Sequence, residues 1–185
     1  RFDNVEISNT NVFKRSDLYG HKDIHKSSNY INNSNLLAYT TSSIIGPIMG
    51  CTEACFDLAK KTLLKTLTSA NELKQARILD ALLESECILN DANTLYGKIL
   101  MKMHFDGIEG KVHSEYDVNK ILQKRSHFSR LCLESIKLLI PLLTTNVIYK
   151  SSKINLLWGD LQIMATHMDV NWDRAVESYY LNFKL

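Results

Sequence analysis

The chain has 185 residues, of which 45% are hydrophobic and 23% are charged, and its formal net charge is +2. This composition is typical of a globular domain and excludes disordered and collagen-like chains. The 22 basic and 20 acidic residues are mixed along the chain, so no basic face for nucleic acid is expected. Seven glycines and two prolines are too few turn residues for an all-β sandwich, which favours long helices.

The first 33 residues lack helical periodicity. Residues 1–13 alternate imperfectly between apolar and polar side chains and predict one β-strand. Because a lone strand is not stable by itself, we interpret it as the end of a missing β-domain. The polar residues 14–33 predict a connecting loop. His21 and His25 within it have the spacing of two metal ligands, but without a third ligand a solvated loop is favoured and no metal site is predicted.

Residues 34–185 predict an all-α fold, an antiparallel four-helix bundle. The first helix is expected over residues 34–68 and the second after Asn71, which has the side chain of a helix N-cap. The third is expected to begin at Ser114. The fourth has apolar residues three and four apart from Ile154 to Tyr179 and is expected to be continuous. Helices of this length indicate a bundle that also forms an oligomer interface.

The sequence shows neither an apolar run of 18 residues nor an N-terminal signal, so no membrane association and a cytoplasmic location are expected. The cysteines, which all fall within apolar helical patterns, predict reduced and buried thiols: Cys51, Cys55, Cys87 and Cys132.

Candidate chemistry concentrates on the fourth helix. Asp160 and His167 are seven residues apart and are expected on one face, where an acid and an imidazole could line a pocket and move a proton. The alternative, which spacing alone favours, is an ordinary amphipathic edge with both groups hydrogen-bonded at a helix contact. No glycine-rich phosphate loop and no G-x-S-x-G motif is present. The sequence therefore contains no active site that is complete by itself.

Three segments resemble the C-terminal part of the acyl-CoA dehydrogenase superfamily, most closely its flavin-dependent monooxygenase branch. Phe2-Asp3-Asn4-Val5 is similar to the family's F-x-x-V-x-V-P strand. Residues 78–95 are similar to the second bundle helix of the family. Residues 157–173 are similar to L-x-R-x-W-R-D-x-x-A-A-x-x-H-x-x-x-N-W-D, the last long helix, and this match is the most specific. Gly159 departs from it, because the family has Arg there.

The resemblance implies the C-terminal domain of a monooxygenase that uses reduced flavin, FMNH2 or FADH2, and O2 to oxygenate a small organic substrate. It implies a separate flavin reductase as partner and a homotetrameric assembly. It also implies a catalytic role for His167 and cofactor contacts for Trp158 and Asp160. Two alternatives stay open: a non-catalytic helical assembly domain with a degenerate flavin pocket, and an acyl-CoA dehydrogenase-type oxidoreductase.

Overall fold

A computed structural model of the protein describes residues 41–111, 113–143 and 152–181. The regular structure in these ranges is entirely helical, which confirms the all-α expectation. The predicted strand at 1–13 and the predicted loop at 14–33, with His21 and His25, lie outside the described residues. The described helices are α1 (Ile45–Leu67), α2 (Glu72–Glu109), α3 (Glu115–Lys137), a short 3-10 helix (Ile140–Leu142), α4 (Lys153–Ala165) and α5 (Trp172–Leu181).

Helix α3 is the centre of the bundle, since it contacts α1, α2, α4 and α5. Helices α2 and α3 run antiparallel. Near their connection, Asp106 bonds His113, and farther along the ring of Tyr96 stacks on that of Phe128 at 5.8 Å. Farther still, the hydroxyl of Ser85 donates to the carbonyl of Ser135 at 2.7 Å. A short connection between neighbouring helices produces this arrangement.

Short polar side chains begin the helices as expected. Asn71 precedes α2 and its side chain accepts from the backbone N–H of Lys74. Ser114 precedes α3 and forms a reciprocal capping box with Asp117, which satisfies two N–H groups that the helix itself cannot. Helix α2 ends at Gly110, whose φ of 60° places it in the left-handed region where a side chain would be strained. These signals set the α2–α3 connection.

Two expected helix bounds are wrong. Residues 41–44 form a turn, and α1 begins at Ile45. The fourth helix is not continuous, because α4 ends at Ala165 and α5 starts at Trp172. Asn171 explains the restart, since its side-chain oxygen accepts from the backbone N–H of Arg174 at 3.1 Å, as a helix N-cap does. The apolar periodicity continued through this break and concealed it.

The core lies between α1, α2, α3 and α4: α1 and α3 pack on α2, and α4 packs on α1 and α3. Its fully buried side chains include Ile48, Cys55, Phe128, Ile136 and Leu161. The cysteines are all free, but they are not all buried as expected: Cys87 is exposed and Cys51 is half-buried. Burial raises the pKa of the Cys55 and Cys132 thiols to about 12, so both remain protonated at neutral pH.

Within the described ranges, no helix is both long enough and apolar enough to cross a membrane.

Candidate functional site

The turn between α4 and α5, residues 166–171, carries the histidine that the sequence singled out. Val170 anchors this turn, because its side chain is only 1% exposed and belongs to the core. The hydroxyl of Ser126 on α3 donates to the carbonyl of Asn171 at 3.0 Å. The turn is therefore tied to α3 at its C-terminal end, while His167 and Met168 remain exposed.

His167 lies in this turn and not on the face of a helix, so the expectation that it shares a helical face with Asp160 is wrong. Its side chain is 47% exposed. The backbone N–H of Asp169 donates to its Nδ1 at 3.3 Å. In a neutral ring this contact leaves the proton on Nε2, which has no hydrogen-bond partner among residues 41–111, 113–143 and 152–181. The ring thus offers an Nε2–H donor to the outside.

Nδ1 of His167 has a second possible hydrogen-bond partner. The Nδ1 atom of His167 is 3.5 Å from Oδ2 of Asp169. When the ring is protonated, or carries its proton on Nδ1, that nitrogen can donate to the carboxylate instead of accepting from the backbone. Asp169 can therefore contact the ring through its backbone N–H or through its carboxylate.

Arg125 of α3 lies beneath this turn and is 2% exposed. Its guanidinium donates to the hydroxyl of Ser42 at 3.1 Å and to that of Thr41, both of which precede α1. Burial lowers the pKa of Arg125 to about 10, and the negative charge of Asp169 opposes that shift. Arg125 thus places the segment before α1 beside the α4–α5 turn.

The two predicted cofactor contacts lie on α4 and are not brought together. Trp158 is half-buried and packs against the core. Asp160 is exposed. Residues two apart on a helix point in different directions, so these side chains do not share a face. The carboxylate of Asp160 acts on Cys51 of α1, whose pKa is raised first by burial and then by this negative charge.

A separate polar cluster, Lys102–Asp106–His113, lies at the α2–α3 connection. Asp106 Oδ2 accepts from His113 Nε2 and from Lys102 Nζ, both at 2.8 Å. Burial acts to raise the pKa of Asp106, but the hydrogen bonds from Lys102 and His113 outweigh it and hold that pKa below its ordinary value. The side chains of His113 and Asp106 are only 2% and 9% exposed, so their hydrogen bond is shielded from solvent.

Sequence reasoning missed Arg125, Asp169 and the Lys102–Asp106–His113 cluster. One signal was present for Arg125, because it occupies an apolar position of the α3 pattern between Ile121 and Phe128. A charged residue at such a position is rarely buried unless it has partners. No comparable signal marks Asp169, since its place beneath His167 depends on a turn that the periodicity did not reveal.

Groups of three or more potential metal ligands do not occur among the described residues.

No protein-family model matches the sequence, and no curated protein matches it. Among solved structures, the chain is similar to XiaF from Streptomyces sp., whose structure is a complex with FADH2 and glycerol. The TM-score is 0.70 at 11% sequence identity, and the likeness covers 92% of this chain and 43% of XiaF. The chain thus spans less than half the length of that protein, and at this identity the likeness shows a shared fold.

Proposed function

We propose that the chain is the C-terminal helical domain of a flavin-dependent monooxygenase, in which reduced flavin and O2 oxygenate a small organic substrate. The observation that carries this proposal is the fold shared with XiaF over 92% of the chain, because that protein was captured with FADH2. The sequence resemblance in residues 78–95 and 157–173 supports the same conclusion independently. The reduced flavin would be FMNH2 or FADH2, supplied by a separate reductase.

His167 fits a role beside such a cofactor. Reduced flavin supplies the electrons that activate O2. In this chain His167 would donate a hydrogen bond from Nε2–H to the reacting oxygen or to the substrate, and would move a proton there. The carboxylate of Asp169 lies 3.5 Å from Nδ1 of the same ring and would hold the ring in place. Proton transfer by a positioned side chain is typically worth about 10²–10⁴-fold in rate.

Trp158 and Asp160 remain proposed cofactor contacts, and we expect them to contribute in different ways. Asp160 is exposed and can reach a bound molecule without rearrangement. Trp158 packs against the core, so its contribution would be to keep α4 in place rather than to offer an open ring face. Gly159 between them supplies no cation. The guanidinium of Arg125 donates to Ser42, in the segment before α1.

The decisive experiment measures reoxidation of reduced flavin by O2 in stopped flow, with and without the full-length protein. We expect the protein to bind FMNH2 or FADH2 under anaerobic conditions and to change the rate at which O2 consumes it. His167→Ala should slow product formation by about 10²–10⁴-fold while reduced-flavin affinity changes much less. His104→Ala, an exposed histidine of α2, is the matched control.

Two results would count against this function. A reoxidation rate identical to that of free flavin would show that the protein does not affect the reaction of reduced flavin with O2. Unchanged turnover in His167→Ala, with a lower melting temperature, would make His167 a structural residue.

Assembly is a second proposal, and the outward face of α2 supports it. Apolar side chains recur on this face at helical spacing and are each more than half exposed: Leu79, Leu83, Met101, Phe105 and Ile108. Apolar surface of this extent marks interaction sites in soluble proteins. We propose that these faces pair in a homotetramer. The same pairing would support the alternative function, a non-catalytic helical assembly domain.

Sedimentation equilibrium at micromolar concentration tests this assembly. Leu83→Glu should dissociate the oligomer, since a charge would be buried in an apolar interface. Leu156→Glu on α4, at a position 56% exposed, is the control and should leave the oligomer intact. A monomeric wild-type protein would exclude the proposed assembly without bearing on the flavin reaction.

A further inference from the structure

A groove between α2, α3 and α5 lies outside the site described above. Its volume is about 520 Å³, within the range of small-molecule binding pockets. Leu95 of α2 and Val176 of α5 contribute apolar surface to its lining, and Trp172 and Tyr179 contribute aromatic rings. Val176 is 48% exposed, so part of the apolar lining is open to solvent.

The charge along this groove has one sign. Lys120, Lys124 and His127 line it from α3, and their spacing of four and three residues places them on one helical face. Neither lysine forms an ion pair with a carboxylate in the described ranges. The carboxylates of α5, Asp173 and Glu177, are absent from the groove lining within those ranges.

The aromatic side of the groove is held in place by cations. The guanidinium of Arg130 lies 4.3 Å from the ring centroid of Trp172. The ammonium of Lys120 lies 5.8 Å from the ring of Tyr179 and 5.3 Å from that of Tyr116. These cation–π contacts orient the rings. The groove therefore combines preset aromatic surface with a positively charged edge.

We infer that this groove binds a small planar aromatic anion. The ring would lie on the apolar surface between Trp172 and Tyr179, and the carboxylate would face Lys124 and Lys120. An apolar pocket with a few placed cations recognises such a molecule, because the ring gains from burial and the anion gains charge-assisted hydrogen bonds. This binding site is independent of the proposed reaction with flavin.

Isothermal titration of the full chain with 2-naphthoate and with its neutral analogue 2-naphthamide tests the charge requirement. The acid should bind at least about tenfold more tightly than the amide, as expected when charge-assisted hydrogen bonds are lost. Lys124→Gln should weaken binding of the acid by about three- to fivefold, the size of an exposed charge pair. Lys61→Gln, an exposed lysine of α1, should leave it unchanged. Equal affinity for acid and amide would overturn the inference.

A second pair of variants tests the location. Val176→Trp should fill the groove from a half-exposed position and abolish binding of 2-naphthoate, while Ile163→Trp on α4, at a position 71% exposed, should preserve it. Circular dichroism checks that both variants are folded. Binding that survives Val176→Trp would place the ligand elsewhere. If the wild-type chain instead dimerises and Val176→Trp dissociates it, the groove is an interface between copies and the inference is wrong.

Discussion

Within the described residues, a histidine meets an aspartate at two helix connections whose environments differ. At the α2–α3 connection, His113 and Asp106 are 2.8 Å apart and their side chains are 2% and 9% exposed. At the α4–α5 turn, His167 and Asp169 are 3.5 Å apart and their side chains are 47% and 21% exposed. Lys102 supplies a cation to the first pair, and the buried Arg125 lies near the second.

The same two residue types therefore serve different purposes. In the buried pair the hydrogen bond is short and screened from water, which makes it strong and makes an unpaired member costly. That pair fixes the path from α2 to α3. In the exposed pair the imidazole keeps Nε2 available, so it can meet a ligand. Burial, rather than residue identity, distinguishes a structural histidine from a candidate catalytic one.

The largest expected effect is on the stability of the buried pair. Asp106→Ala would leave His113 buried without its acceptor and remove the anion that holds Lys102. We expect the free energy of unfolding to fall by about 3 kcal/mol, the cost of breaking a buried charge-assisted contact. Asp91→Ala, an exposed position of the same helix, should change it by less than about 0.5 kcal/mol. Chemical denaturation measures both, and equal losses would contradict a special role for Asp106.

The next largest expected effect is the difference in stability between variants of His113 and His167. His113→Ala should lower the free energy of unfolding by about 2 kcal/mol, because it removes a buried side chain and one of the two hydrogen-bond donors to the Asp106 carboxylate. His167→Ala should lower it by less than about 0.5 kcal/mol, since its ring is half exposed. If His167→Ala proved the more destabilising of the two, the comparison would be reversed and the case for catalysis at His167 would weaken.

The smallest expected effect is on the pH dependence of the free energy of unfolding in the acidic range. The pKa of Asp106 lies below its ordinary value of 3.8, so its contribution is complete above that value. It is lost as the pH falls through the lowered pKa of the folded state. Urea denaturation between neutral pH and pH about 3 should show a steeper loss in the wild type than in Asp106→Asn. Parallel curves would mean that other carboxylates dominate the acid response.

Much of the fold was predictable from local signals. Asn71 and Ser114 mark helix starts with side chains that bond backbone N–H groups, and the structure confirms both. Ile78, Leu82 and Leu89 recur at helical spacing along α2, and all three are buried. The break at residues 166–171 was missed because Met168 continues the spacing of three and four residues between Met164 and Trp172, although Met168 lies in the turn and is 57% exposed. Apolar spacing alone does not show that the helix is continuous.

The candidate site was likewise only partly predictable from the sequence. The sequence by itself determined that residues 34–185 form helices, where α2 and α3 begin, and that His167 is a candidate residue, and the described part of the chain confirms the first two. Only the tertiary structure decided that His167 faces solvent, that Asp169 contacts its ring, and that Arg125 lies buried beneath. The physical reason is the distance over which each kind of interaction acts. Caps and periodicity act within about one helical turn, whereas exposure and charge pairing depend on which helices pack together.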